Sequence, residues 1–186
     1  MAFTVVYDAC VLYPAPLRDL LIRIASTGLV RARWTDQILN ECFESILEKR
    51  PDLNAKSLAR TRQLMTEAVP DCLVTGYEEL IDGIELPDPN DRHVVAAAIR
   101  CGAQVIVTFN LDDFPPDQLS RYHLEAYHPD DFVLDNIDLS PGMMVRVVED
   151  QIGALRNPPV DLPTLLDRLR TLGLVQSVAR LRELCY

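Results

Sequence analysis

A single stretch, from Asp88 to Phe114, restricts this chain to a narrow group of α/β folds; it reads DPNDRHVVAAAIRCGAQVIVTFNLDDF. It opens with a helix start, because Asp88 suits the N-cap and Pro89 suits the first helical position, where no N–H is needed. Asp91 then falls at the third position. One local interpretation is a capping box, in which the Asp91 carboxylate bonds back to the Asp88 backbone. On the local pattern alone, Asp91 has only a capping role.

The helix that follows this start indicates a further role for Asp91. Val95 and Ala98 lie four and seven residues later, on the helix face that must pack. Asp91 is therefore expected to point toward the protein. The face that meets water is predicted to consist of Arg92, Ala96 and Arg100.

The second half of the stretch is a strand and a turn that carries two acids. Gly102 predicts the helix end, and Val105–Thr108 predicts a buried strand. The chain then turns sharply through Asn110 into Asp112 and Asp113. Acids at a helix start and at the end of the next strand are expected to converge outside the carboxyl edge of a parallel sheet, where open α/β folds bind ligands.

The N-terminal segment is expected to bring another acid to that edge. Residues 3–7 are apolar enough to form a central strand, and Asp8 follows at its carboxyl end. An aspartate in this place is either a turn residue or a site residue, and its position in the plane of the later acids favours the site. A helix that starts at Pro14 or Pro16 and stops at Gly28 is predicted next.

A helix predicted over residues 36–50, with Thr35 as its N-cap, contributes three glutamates. Glu41 lies at the border of the apolar stripe, and Glu44 lies nearly opposite its centre. Glu48 has the direction of Glu41 two turns later, so periodicity leaves the choice between these two open. The stripe consists of Ile38, Leu39, Cys42, Phe43, Ile46 and Leu47.

The remainder of the chain is predicted to be mostly helical. A helix over about 54–69 precedes the central stretch, and Leu124–Tyr127 is expected to be a last short strand. Helices are then predicted over 129–136, from Pro141 with Ser140 as cap, over 163–172, and up to about residue 184. The histidines lack the usual spacing of metal ligands and are interpreted as structural or surface residues; they are His93, His123 and His128.

Length and composition limit the class of protein. The 186 residues, of which 48% are apolar, suffice for one domain with a real core and an appendage. No stretch approaches the roughly 18 apolar residues of a membrane span, and no basic segment opens the N-terminus, so no membrane partner and no secretion signal are expected. The five scattered cysteines are expected to be reduced, small hydrophobic residues of a cytoplasmic protein.

The net charge of -10 comes from the middle of the chain. Residues 71–140 contain 15 acidic and 3 basic side chains, a net charge of -12. Part of this acidity is expected to be solvated surface that aids solubility, and part is expected to hold divalent cations. The acids assigned to the surface are Glu78, Glu79, Asp82 and Glu85.

Four motifs in this order resemble those of PIN-domain ribonucleases of the VapC type, the toxin halves of bacterial toxin–antitoxin pairs. They are a first strand ending in Tyr-Asp-Ala, then ILNECFESILEKRP, DPNDRHVVAAAI and TFNLDDF. The resemblance implies a PIN-like three-layer α/β fold, with a central, mostly parallel sheet flanked by helices. It implies a nuclease domain over residues 1–131, followed by a helical C-terminal extension over 132–186.

The resemblance also implies an active site. It selects Glu41 over Glu48, which periodicity cannot do. The catalytic and metal-binding quartet of the family falls on Asp8, Glu41, Asp91 and Asp113. The implied neighbours of the site are Asp88, Asn110 and Asp112.

The implied activity is hydrolysis of RNA phosphodiesters by a water that one or two Mg²⁺ or Mn²⁺ ions activate. The chemistry is consistent, because carboxylates crowded in one crevice repel each other and a hard cation relieves that repulsion. The alternative is a PIN fold that has become a noncatalytic binding module, with acids kept for capping and solubility. Metal-dependent cleavage of RNA distinguishes the two.

Two partners are implied by the resemblance, an RNA substrate and a cognate antitoxin protein. Because a guanidinium binds carboxylates in a bidentate fashion, the antitoxin is expected to insert an Arg or Lys near Asp8, Glu41 and Asp91. Its amphipathic segment is expected to lie in an apolar groove of the early helices. The C-terminal extension is expected either to cap the core or to serve in docking or homodimerisation.

Overall fold

The computed structural model describes residues 3–185 and contains a four-stranded sheet. Its strands lie in the spatial order β2-β1-β3-β4. All three strand pairings are parallel, which confirms the predicted α/β class, and β1 lies between β2 and β3, as its apolar composition predicts. The strands are β1 (Phe3–Tyr7), β2 (Val30–Arg33), β3 (Val105–Val107) and β4 (Glu125–Tyr127).

Ten α-helices occur within the described residues. They are α1 (Ala9–Leu12), α2 (Ala15–Ser26), α3 (Asp36–Lys49), α4 (Ala55–Ala68), α5 (Arg92–Cys101), α6 (Pro116–Leu119), α7 (Pro129–Leu139), α8 (Pro141–Ala154), α9 (Leu162–Thr171) and α10 (Val175–Cys185). Short 3-10 segments cover Glu78–Gly83, Pro89–Asp91, Leu111–Asp113 and Ser120–Tyr122. Within residues 3–185, no helix combines the length and the apolar character that crossing a membrane requires.

Helices cover both faces of the sheet. Successive side chains of a strand point to opposite faces. Residues 4–7 of β1 and all of β3 are buried, so neither face of the central strands meets water. The three-layer arrangement is therefore confirmed.

Several start and stop signals in the sequence act as predicted. Thr35 Oγ1 accepts the Ile38 N–H at 3.0 Å, which caps α3. Gly102 ends α5 with a φ of 64°, a left-handed conformation that glycine adopts at little cost. The predicted cap at Ser140 is wrong, because Ser140 precedes α8 but its side chain makes no capping hydrogen bond.

Three local features differ from the expectation. Both β2 and α1 are missed in the sequence, because elements of 4 residues are too short to show a period. Ala96 is fully buried rather than exposed. The 3-10 segment Glu78–Gly83 packs against α5.

The C-terminal helices pack onto the same core as the sheet. The Phe132 ring of α7 lies edge-on to Tyr7 of β1, with ring centroids 5.8 Å apart. Gln151 of α8 donates to the carbonyl of Pro16, at the start of α2, at 2.9 Å. The expected boundary between residues 131 and 132 lies inside α7, which begins at Pro129.

Candidate active site

The four predicted acids come from four different segments. Asp8 follows the last residue of β1, and Asp113 ends the 3-10 segment after β3. Asp91 ends the 3-10 turn before α5, and Glu41 lies within α3. Because β1 and β3 are parallel neighbours, their carboxyl ends share one edge of the sheet.

Asp8 is a nearly buried carboxylate, 5% exposed, whose two oxygens are both held. Its Oδ1 accepts the Ala9 N–H at 2.7 Å, and its Oδ2 accepts the Thr108 hydroxyl at 2.8 Å and the Cys10 thiol at 3.1 Å. A carboxylate has about four acceptor positions, two on each oxygen. One position, on Oδ1, therefore remains for another group.

Thr108 and Cys10 join the ends of β1 and β3 around Asp8. Thr108 Oγ1 also accepts the Asn110 N–H at 3.0 Å, and the Cys10 sulfur accepts the Phe109 N–H at 3.3 Å. Burial, with the Asp8 charge beside it, raises the pKa of the Cys10 thiol to about 12, so the thiol keeps its proton as a donor. Cys10 was interpreted only as a small hydrophobic residue, and Thr108 only as part of a strand.

Asp91 occupies an environment that resists its ionisation. Partial burial raises its pKa to about 6, with contributions from the negative charges of Asp8, Asp113 and Asp88, against an opposing effect of His93. These carboxylates therefore lie within electrostatic reach of Asp91. The predicted capping box is not formed, because Asp91 makes no side-chain capping hydrogen bond. Such a bond is made by Asp88, whose Oδ1 accepts the Asn90 N–H at 2.8 Å.

Glu41 is contacted by two neighbours outside this group. His93 Nε2 lies 3.0 Å from Glu41 Oε1, and the Gln37 amide donates to the same oxygen at 3.2 Å. Glu41 is not among the acids that raise the pKa of Asp91. Glu44 and Glu48 are exposed, so Glu41 is the glutamate of α3 that approaches the start of α5.

The turn after β3 separates its two aspartates. Asp113 is half-buried and contributes to the raised pKa of Asp91, whereas Asp112 is exposed. Asn110, predicted as a neighbour of the site, is exposed, and its backbone N–H bonds to Thr108. Asp8, Asp88 and Asp113 thus lie near enough to Asp91 for their charges to raise its pKa, whereas Asp112 lies toward solvent.

The donor set suits a hard cation that keeps part of its water shell. Within residues 3–185, no three His, Cys, Asp or Glu side chains gather closely enough to hold a metal ion directly. Mg²⁺ usually retains several waters and is bound through only one or two carboxylates. Asp8 has a free acceptor position, and the Asp91 carboxylate makes no helix-capping hydrogen bond. Both can serve as oxygen ligands of this kind, so the residues fit Mg²⁺ or Mn²⁺.

A separate groove of about 1210 Å³ lies between helices of the two halves of the chain. Its walls come from α2, α4, α8 and α9, and none of the four acids lines it. Its lining mixes apolar side chains such as Leu64 and Met143 with charged ones such as Arg146 and Asp150. The early helices therefore form only one side of this groove.

Comparison with known proteins finds relatives of both parts of the chain. Residues 4–112 match the PIN domain family, and residues 129–183 match the family described as VapC50 C-terminal domain. A Mycobacterium tuberculosis protein named "Putative ribonuclease VapC50" is 45% identical over 94 residues, which are 50% of this chain and 55% of that protein. The chain thus aligns with about half the length of this relative. No solved structure matches the chain significantly.

Proposed function

The chain belongs to the PIN-domain family, which matches more than half of it, and on this basis we propose that it is a metal-dependent endoribonuclease. We propose further that it is the VapC-type toxin of a type II toxin–antitoxin pair, as the name of its mycobacterial relative suggests. The observation that carries the proposal is the setting of Asp91: partial burial raises its pKa to about 6, and the negative charges of Asp8, Asp113 and Asp88 add to this effect. Such crowding favours a bound cation, which offsets the repulsion.

The four acids divide into two roles in this proposal. Asp8 and Asp91 are the principal ligands of Mg²⁺ or Mn²⁺. Asp8 has an open acceptor position on Oδ1, and the Asp91 carboxylate makes no helix-capping hydrogen bond. Glu41 and Asp113 are further ligands or groups that orient the attacking water. A bound Mg²⁺ or Mn²⁺ supplies Lewis acidity, which lowers the pKa of water and neutralises charge on a phosphodiester.

The chain's own residues supply the preorganisation. Thr108 and Cys10 hold Asp8 Oδ2, so that this carboxylate keeps one orientation. Asp8 thereby needs no rearrangement to bind a ligand. Asp113, at the end of the 3-10 segment after β3, adds a negative charge and is less exposed than Asp112.

The alternative function is a noncatalytic PIN-fold binding module. Asp88 illustrates it, because its carboxylate serves as a helix cap. Asp91 argues against it, because a capping or solubilising role does not require a carboxylate that the fold destabilises in its charged form.

Incubation of the purified protein with total cellular RNA distinguishes the two functions. The expected result is cleavage with Mg²⁺ or Mn²⁺, none with EDTA, and discrete new ends when the products are mapped. Asp91→Asn is the matched control for a contaminating nuclease, and it should show no cleavage. Cleavage that persists in EDTA or in this variant would contradict the proposal.

The antitoxin is proposed to be a small protein with a basic tail that enters the acid crevice. An arginine can pair with Asp8 or Asp91 in place of the cation. Co-purification with the product of the neighbouring gene, followed by titration of Mg²⁺ against inhibition, tests this. Competition is expected; inhibition that is independent of both Mg²⁺ and the acids would place the antitoxin elsewhere.

A further inference from the structure

The Glu41 carboxylate is held through one oxygen only. His93 Nε2 lies 3.0 Å from Oε1, and Gln37 Nε2 donates to that same Oε1 at 3.2 Å. Both neighbours thus use one oxygen. Oε2 receives no hydrogen bond from the described residues and keeps its acceptor positions for another group.

A histidine at position 93 is less favourable for the stability of the core than an apolar side chain would be. Its side chain is only 3% exposed, and its Nδ1 atom is buried without a hydrogen-bond partner among the described residues. A buried polar atom without a partner costs free energy, which an apolar side chain of similar size would avoid. Core packing alone therefore does not account for the imidazole, whereas its contact with Glu41 does.

The second neighbour is itself supported from another part of the chain. The hydroxyl of Tyr77, a buried side chain, donates to Gln37 Oε1 at 3.4 Å. The Gln37 amide is thereby oriented with its NH₂ group toward Glu41. The Glu41 carboxylate, itself 42% exposed, is thus contacted directly by His93 and by Gln37 of its own helix, and Tyr77 supports it through Gln37.

We propose that His93 is a positioning residue that, together with Gln37, fixes Glu41 through Oε1 and leaves Oε2 free to bind the cation or its water. The inference rests on the proposed function, because only a ligand or water-orienting role gives the fixed orientation of Glu41 a purpose. His93 itself touches neither metal nor RNA. It acts through Glu41, in the way that outer partners orient metal-binding carboxylates.

The test measures Mn²⁺ binding by electron paramagnetic resonance on RNA-free protein, together with kcat and KM for RNA cleavage. His93→Ala is expected to weaken Mn²⁺ binding about tenfold and to lower kcat more than it changes KM. His93→Gln places an amide nitrogen near the position of Nε2 and should restore most of the loss. His93→Asn holds its nitrogen closer to the backbone and should not. Glu48→Gln, on the exposed side of the same helix, is the matched control and should behave as wild type.

A double-mutant cycle separates positioning from packing. If His93 acts through Glu41, then His93→Ala should add little to the loss already caused by Glu41→Gln. Gln37→Ala, at an exposed position, probes the same contact without disturbing the core, and should give a smaller loss in the same direction even if His93→Ala fails to fold.

Two results overturn the inference in distinguishable ways. The positioning role is removed if the wild type is active and the folded His93→Ala variant binds Mn²⁺ normally. It is also removed if the effect of His93→Ala adds fully to that of Glu41→Gln. Either result leaves the proposed function intact. A wild type that neither binds Mn²⁺ nor cleaves RNA removes the proposed function, and the inference with it.

Discussion

At the scale of single residues, Asp91 makes a prediction about pH. Its pKa rises from 3.8 to about 6 in the folded chain, so between these values the folded state holds a proton that the unfolded state has released. The free energy of unfolding of the metal-free protein should therefore fall as pH rises through this window and stay lower above it. Asp91→Asn should remove this part of the fall and leave the metal-free protein at least as stable as wild type at pH 7.5, although inactive.

Urea unfolding in EDTA at about pH 4.5 and pH 7.5 measures this effect. The difference between the wild type and Asp91→Asn removes the contribution of the other groups that titrate in the same pH range. Addition of Mg²⁺ at pH 7.5 should stabilise the wild type more than Asp91→Asn, because a ligand that binds only the folded state raises its stability. Equal pH dependence in the two proteins would show that burial and the neighbouring charges do not raise the pKa of Asp91.

The two aspartates of the turn after β3 make a second prediction. Asp113 is half-buried and faces the charge of Asp91, whereas Asp112 is exposed. Asp113→Ala should lower kcat by on the order of 100-fold or more, and Asp112→Ala should have only a small effect. Cleavage assays at saturating Mg²⁺ decide it. The reverse ranking would mean that the turn presents Asp112 to the substrate.

The sequence indicates candidate acids, but it does not indicate the residues that contact them. Asp8 was expected from its place after a buried strand, and the structure puts it at the shared edge of β1 and β3. Glu41 and Glu48 could not be separated by a helical period, since both lie on one side of α3. What separates them is His93, which is close only in space, and its spacing from the other histidines could not reveal this contact.

At the scale of elements, α10 depends on a cap from a distant part of the chain. Leu174 precedes the helix and has no side-chain acceptor. Asp130, in the first turn of α7, accepts the N–H groups of Gln176 and Ser177 at 2.9 and 2.8 Å instead. Ser177 Oγ donates in return to the Asp130 carbonyl at 2.8 Å. Two helices are thus joined by polar contacts as well as by packing.

The capping role of Asp130 predicts a loss of stability on its removal. Asp130→Ala should lower the free energy of unfolding by about 2 kcal/mol, because it leaves the buried Ser177 N–H and the part-buried Gln176 N–H without an acceptor. Urea unfolding measures the change. The matched control is Asp131→Ala, one residue later and exposed, which should change stability by less than about 0.5 kcal/mol. Equal effects would indicate that α10 does not need this cap.

The elements that the sequence predicts well are those with signals inside one segment. Thr35 and Gly102 mark the ends of their helices by their own chemistry. By contrast, β2 has only four residues, and its position in the sheet is determined by pairing with β1. The cap of α10 likewise comes from a residue far away in sequence, which a local pattern does not contain.

At the scale of the whole molecule, the parallel sheet was predictable because its central strands are continuous apolar runs followed by acids. The packing of the C-terminal extension against that sheet was not predictable, because an amphipathic pattern shows which face of a helix is buried but not which surface it packs against. The structure includes both parts in one hydrophobic cluster, which extends from Tyr7 and Trp34 to Leu169 and Leu181. The extension is therefore a part of the core, whatever partner its outer surface binds.

A shared core predicts a single unfolding transition. Trp34 is the only tryptophan and is fully buried beside the sheet, so its fluorescence reports on the first part of the chain. Leu169 is fully buried in α9. Leu169→Ala should cost about 2–5 kcal/mol, and it should shift the urea midpoint seen by Trp34 fluorescence as much as that seen by far-UV circular dichroism. Val175→Ala, at a position that is 57% exposed in α10, is the control and should shift neither midpoint. If Leu169→Ala moved only the circular dichroism transition, the extension would unfold independently, and the chain would consist of two separate domains.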